Sequence, residues 1–151
     1  MMTLTLPTQA PERRLALMLG TPECVHVTLV GTGGTGSFLA RSLGQLAWAA
    51  RQDGVEIDLT FVDPDEVEAR NVGRQDFCAA EIGRPKAETL ARRVGGAHGI
   101  PVRYLVERFE AGMVQLSYKQ NHLNLLVGAV DNAPARRDIA GRVRHANGRL
   151  W

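Results

Sequence analysis

The chain has 151 residues, 44% of them hydrophobic, and a formal net charge of +2. That length suits one domain with a core of its own, and so small a charge gives no argument for nucleic acid or a membrane surface as the main partner. Its two cysteines, Cys24 and Cys78, are too few for a disulfide framework and do not form a C-x-x-C pair. Both read as small apolar residues in a reduced compartment. No apolar run approaches the roughly 20 residues of a membrane helix. Met1 to Pro11 lacks the charged and apolar regions of a signal peptide, so no membrane partner and a cytoplasmic location are expected.

Residues 1–20 read as an N-terminal arm, with a short helical pattern over Glu12 to Leu19. The first strand, residues 24–30, is β-branched and apolar. Gly31-Thr32-Gly33-Gly34-Thr35-Gly36-Ser37 follows it, and then a helix over about 35–51, with apolar residues at helical spacing. A strand, a glycine turn and a helix in that order make a phosphate-binding corner. The glycines let the backbone approach an anion, and the free N–H groups of the new helix point at it.

A turn at Gln52-Asp53-Gly54 leads to a second strand over 57–62, stopped at Asp63-Pro64-Asp65 because proline cannot donate a ladder bond. Residues 66–84 read as an irregular polar connection. Pro85 suits the first turn of a second helix running to about Val94 and ended by Gly95-Gly96. A third strand is expected over 102–106, a weak helix over 111–120, a fourth strand over 123–130 and a last helix over about 134–146. Strands alternating with helices imply an α/β, Rossmann-like, doubly wound and mainly parallel sheet with helices on both faces. Arg149-Leu150-Trp151 reads as the entrance to a fifth strand, so the domain is expected to continue beyond this chain.

In the common doubly wound order the first and fourth strands are neighbours, and ligands bind in the crevice between their carboxyl ends. Asp131, closing the fourth strand, would then face the glycine corner. It suits Mg²⁺, which prefers oxygen ligands and substrate phosphates; it equally suits the N-cap of the last helix. Asp63 stands where such folds place an acid on a ribose hydroxyl, or is simply a turn aspartate before proline. Arg74 and Lys86 could hold a polyphosphate as fork and point charge, or could be solvated surface cations. The four histidines, His26, His98, His122 and His145, show no grouping in sequence. Arg136, Arg137, Arg142, Arg144 and Arg149 make a basic tail that reads mainly as a solvated helix face.

Taken jointly, Gly31 to Ser37, Asp63-Pro-Asp-Glu-Val67, Asn71-Val-Gly-Arg-Gln75, Ile82-Gly-Arg-Pro-Lys86 and Ala129-Val-Asp-Asn132 with Arg136 resemble the ThiF/MoeB/HesA family, the adenylation domains of the ubiquitin-activating (E1-like) superfamily. The resemblance covers about residues 20–145, and within the family the chain looks most like the ThiF-type proteins of plasmid PRTRC gene clusters. It implies a domain over 21–151 that binds ATP and Mg²⁺. It also implies activation of the C-terminal carboxylate of a ubiquitin-like or sulfur-carrier protein as an acyl-adenylate.

By matching positions, Gly31, Gly33, Gly34, Gly36 and Ser37 would pack against the nucleotide, and Asp63 would take the ribose hydroxyls. Asn71, Arg74 and Lys86 would hold the phosphates, with Gln75 beside them. Arg74 and Lys86 would stabilise charge during transfer, and Asp131 would position Mg²⁺. A homodimer is implied as well, with Arg13 or Arg14 reaching the partner's nucleotide. The zinc-binding C-x-x-C pairs of many relatives are not present, so no zinc is expected within this chain, and Cys78 lies in the wrong segment for their acceptor cysteine. An NAD(P)-dependent oxidoreductase shares the glycine corner and Asp63 but gives no reason for Arg74, Lys86 and Asp131. A non-catalytic nucleotide-binding partner subunit is the other alternative.

Overall fold

The computed structural model describes residues 22–150 apart from 115, 147 and 148. Strand β1 (Cys24–Val30) lies between β2 (Glu56–Val62) and β4 (His122–Gly128), and β3 (Val102–Leu105) forms the edge beyond β2. The order is β3-β2-β1-β4 and every pairing is parallel. Parallel neighbours need long crossovers. Helix α1 (Gly34–Gln52) joins β1 to β2, α2 (Lys86–His98) precedes β3, and α3 (Ala133–His145) follows β4. The chain winds outward from β1 to β3 and then returns to the other side of β1. The expected doubly wound α/β architecture is therefore the observed one, with its switch point between β1 and β4.

Alternation along β1 divides its side chains between two layers. Val25, Val27 and Leu29, with Leu59 and Phe61 of β2, pack under Ala40 and Ala47 of α1 and Leu90 and Val94 of α2. On the opposite face Val30, Val62 and Leu126 meet Phe109 and Val114 of the β3–β4 connection, Ile139 and Val143 of α3, and Leu150. Two cores thus clamp the carboxyl ends of the strands. They fix the positions of the loops that leave there.

Three elements differ from expectation. Helix α2 continues through Gly95-Gly96 and stops at Gly99, which takes the left-handed conformation (φ 63°) that terminates helices. Gly95 stays helical at a tight spot, where a Cβ would lie 2.9 Å from the Ile100 carbonyl oxygen. The helix expected over 111–120 is only a 3₁₀ turn, Ala111–Met113, because Val114 and Leu116 are drawn into the second core instead of a helical stripe. The connection over 66–84 holds two 3₁₀ turns, Ala69–Asn71 and Ala79–Glu81. Among the described residues the sheet has four strands; Arg149 and Leu150 are not in one of them, and Trp151 lies outside the described residues. The arm over 1–20, with Arg13 and Arg14, also lies outside them.

Candidate functional site

A cleft of about 820 Å³ opens at the carboxyl ends of β1, β2 and β4. Its floor is the glycine corner. Gly31 has φ 88°, and a Cβ there would lie 2.7 Å from the Ala129 carbonyl oxygen of the neighbouring strand end. Gly36 is as constrained, since a Cβ would come within van der Waals overlap of the Gly31 carbonyl. These two glycines let the turn fold onto the sheet.

Gly33 and Gly34 differ. A Cβ on Gly34 would meet no protein atom within 4 Å, and on Gly33 only the Gln75 amide at 3.8 Å. Both line the cleft. The space a side chain would fill is left open above the start of α1. That helix has no side-chain cap and no acid in its first turn, so its first N–H groups and the positive end of its dipole face the cleft uncompensated.

Of the residues singled out from sequence, Gly31, Gly33, Gly34, Asp63, Arg74, Gln75, Lys86 and Asp131 line this cleft. Gly36, Ser37 and Asn71 stand behind it. Ser37, fully buried, donates to the Gly34 carbonyl (3.0 Å) and accepts from the Asp76 N–H (2.9 Å), tying the corner to the loop that carries Arg74 and Gln75. Asn71 is buried, and its side chain accepts from the Glu68 N–H (2.9 Å). Its carbonyl accepts from the N–H groups of Arg74 (3.1 Å) and Gln75 (2.9 Å). It shapes the segment that presents both.

Asp63 is buried and already employed: Oδ2 accepts from the Thr32 N–H at 2.6 Å and Oδ1 from the Asp65 N–H at 2.9 Å. The carboxylate thereby welds the end of β2 to the glycine turn. Lys86, which read singly suits a surface cation, is only 5% exposed. Its ammonium donates to Asp65 Oδ2 at 3.1 Å, and its own N–H bonds the Asp65 carbonyl (2.9 Å), so α2 starts against the Asp63–Val67 segment. A charge held this dry interacts more strongly with an anion than one in water. Arg74 is exposed at the rim, its Nε donating to the Arg70 carbonyl (2.9 Å).

The alternative reading of Asp131 as helix cap is not what the structure shows. Asn132 caps α3, its side-chain oxygen accepting from the Ala135 N–H at 2.9 Å. Asp131 is left exposed in the cleft, and no hydrogen bond to its carboxylate is found among the described residues. The fold also brings in Arg108 and Asp138, which sequence reasoning passed over, and Arg136. Arg108 leaves the end of β3, and the one available clue was that every loop at this edge of a doubly wound sheet borders the crevice. Of the basic tail, Arg142 donates to the Val114 carbonyl (3.2 Å) and Arg149 lies over the Tyr118 ring at 5.0 Å, so these two are partly structural.

Cys78 and the histidines need correction. Cys78 is exposed, not a buried apolar residue. Cys24 is buried at the far end of β1, and its burial, with the Asp58 and Glu56 carboxylates, pushes the thiol above its ordinary pKa. His26 and His122, ungrouped in sequence, lie with ring nitrogens 3.0 Å apart.

A parallel doubly wound sheet with an open glycine corner, buried lysine and exposed aspartate at its switch point defines the class: a Rossmann-like nucleotide-site protein. The ThiF family model matches residues 22–148. The chain belongs to the ThiF family. None of the curated proteins compared with it matches. Among solved structures it is similar to the E. coli tRNA N6-threonylcarbamoyladenosine dehydratase TcdA in complex with ATP, at 23% identity and a TM-score of 0.63, covering 83% of this chain and 49% of that one. It is also similar to E. coli MccB (21%, TM-score 0.59, 80% and 34%) and to PaaA (19%, TM-score 0.58, 80% and 35%). The chain thus spans about half the length of the TcdA structures it matches or less. No helix among the described residues is long and apolar enough to cross a membrane.

Proposed function

We propose that this domain binds ATP with Mg²⁺ in the cleft and adenylates a carboxylate, in keeping with its family, and that the carboxylate is the C-terminus of a ubiquitin-like or sulfur-carrier protein. The observation that carries the reading is the convergence at one edge of an uncapped glycine-rich helix start, the desolvated Lys86 and the exposed Asp131. A dinucleotide site for hydride transfer has no use for the last two. The determination of TcdA with ATP supports the choice of nucleotide.

In the reaction a carboxylate oxygen attacks the α-phosphorus, the bond from that phosphorus to the oxygen bridging to the β-phosphate breaks, and pyrophosphate leaves with the electron pair. The attacking group is already ionised, so no general base is needed. The difficulty is bringing anions together, which cations and positioning overcome. The α1 N–H groups and the space over Gly33 and Gly34 receive the phosphates, with Gly31 and Gly36 holding the turn in place. Lys86, kept rigid by Asp65, and the Arg74 fork oppose the charge of the pentavalent centre and the departing pyrophosphate. Asp63 serves the ribose side in this reading, and Gln75 carries a buried carbonyl oxygen with no partner among the described residues. Asp131 is the carboxylate that would hold Mg²⁺, an oxygen ligand of the kind that ion selects; bound there, the ion supplies positive charge beside the phosphates. Ser37 and Asn71 position the loops.

Calorimetric titration of ATP·Mg²⁺ and of NAD into the full chain tests this. ATP binding that requires Mg²⁺ is expected, weakened in Lys86→Ala by about 1.5–3 kcal/mol, the worth of a charge-assisted contact, and stripped of its Mg²⁺ dependence in Asp131→Ala. Carrier-dependent exchange of pyrophosphate into ATP then distinguishes an enzyme from a nucleotide-binding partner subunit. NAD binding without ATP binding overturns the reading. The family resemblance also supports a homodimer, which sedimentation of the full chain would show.

A further inference from the structure

The opposite end of the sheet holds a second cluster that nucleotide chemistry does not use. Central parallel strands are normally apolar on both faces. Yet at the start of β1 the face away from α1 and α2 carries Cys24 and His26. The parallel register sets Cys24 beside His122 of β4, and His26 beside Asp58 of β2. All four side chains share that face because residues two apart on a strand point the same way. Cys24 Sγ lies 3.6 Å from His26 Nε2, and His26 Nε2 lies 3.0 Å from His122 Nδ1. The three atoms lie within 4.8 Å of one another.

Hydrogen bonding alone serves this cluster poorly. Asp58 Oδ2 stands 3.0 Å from His26 Nδ1 and takes the proton on that nitrogen, so Nε2 presents a lone pair to the cluster. His122 Nδ1 is approached by both His26 Nε2 and the Ser117 hydroxyl, each at 3.0 Å. Sulfur, two imidazole nitrogens and a hydroxyl thus converge on one space. The Cys24 thiol can donate to His26 Nε2 and the Ser117 hydroxyl to His122 Nδ1, but the 3.0 Å approach of His26 Nε2 to His122 Nδ1 then sets two lone pairs face to face, which a shared cation would satisfy. Tetrahedral zinc, with bonds of about 2.3 Å to sulfur and about 2.0–2.1 Å to nitrogen, sets neighbouring ligand atoms about 3.3–3.6 Å apart, close to the observed 3.6 and 3.0 Å. The carboxylate on the far nitrogen of His26 is the usual outer partner of a metal-bound histidine, fixing its tautomer and raising its basicity.

We propose that Cys24 Sγ, His26 Nε2 and His122 Nδ1 form a zinc site, oriented by Asp58, with the fourth corner bordered by Ser117 and open to water. Thiolate and imidazole donors select Zn²⁺ over Mg²⁺ or Ca²⁺. On binding, the Cys24 proton passes to solvent and sulfur donates its electron pair to the metal. The site differs from a zinc knuckle of C-x-x-C pairs in that three separated segments meet only through strand register. At about 3.3 Å per residue of β1 it stands roughly 20 Å from the glycine corner, so it ties β1 to β4 at the end of the sheet that the second core does not reach.

Cobalt substitution of the untagged full chain, freed of metal by chelation, tests the site. The expected result is one Co²⁺ per chain, with the intense visible bands of tetrahedral coordination and a thiolate-to-cobalt charge-transfer band, all bleached by one equivalent of Zn²⁺. Cys24→Ser should abolish the charge-transfer band, and His122→Ala should abolish stoichiometric binding. Asp58→Asn, at a half-exposed position, should keep the fold and weaken Zn²⁺ by 10–100-fold. Absence of the thiolate band in the unaltered chain overturns the proposal whatever the variants do, and so does cobalt binding that Asp58→Asn leaves unchanged. ATP binding is read in parallel and is expected to be indifferent to the metal.

Discussion

The two faces of β1 solve different problems. Toward α1 and α2 it presents Val25, Val27 and Leu29, each 8% exposed or less, in one continuous apolar layer. On the other face it presents Cys24, His26, Thr28 and Val30, and only the last of these enters an apolar core. The first face is sealed by helices along its length. The second joins an apolar core at its carboxyl end only, and polar chemistry appears at its other end. The contrast shows where the fold stores stability and where it leaves room for sites: a sheet buried twice over has no place for a histidine pair.

The largest effect that would sharpen this contrast is in the sealed face. Phe61 is fully buried there, and Phe61→Ala should cost about 3–5 kcal/mol in urea unfolding. Leu126→Ala on the second face should fall near the lower end of about 2–5 kcal/mol; equal losses would mean that both faces bear the fold alike. Next comes the glycine corner. Gly36→Ala forces a methyl against the Gly31 carbonyl and should cost about 1–3 kcal/mol or more, read as a lowered Tm.

Asn132→Ala removes the α3 cap and should cost about 1 kcal/mol while leaving Mg²⁺-dependent ATP binding intact; loss of that dependence would mean that Asn132, and not Asp131, holds the ion. The smallest change in stability should come from Gly34→Ala. The methyl meets no protein atom within 4 Å, and alanine suits a helix better than glycine by up to about 1 kcal/mol. Stability should hold or rise while ATP affinity falls. Unchanged affinity in calorimetry would show that the phosphates do not approach α1.

Lys86 and Asp131 show how far single residues can be read. Lys86 was ambiguous in sequence because burial of a cation depends on what folds over it. Only the pairing of the Asp65 segment with the start of α2 takes it out of water. For Asp131 the sequence offered cap or cleft, and the choice turned on a shift of one residue, Asn132 taking the cap. Gly95-Gly96 misled in the opposite direction. Glycine weakens a helix without ending it, and the stop came from the left-handed Gly99.

The sequence by itself determined the order of the four strands and three long helices, the strand–glycine–helix corner, the neighbourhood of β1 and β4 and the family, because these rest on local spacing and on the few topologies a βα chain can adopt. Tertiary structure alone decided the burial of Lys86, the joining of Arg108 and Asp138 to the cleft, and the meeting of Cys24, His26 and His122. Those depend on strand register and on loops returning from distant segments. A period of two fixes which face a side chain takes, but only the pairing of strands decides which side chain stands beside it.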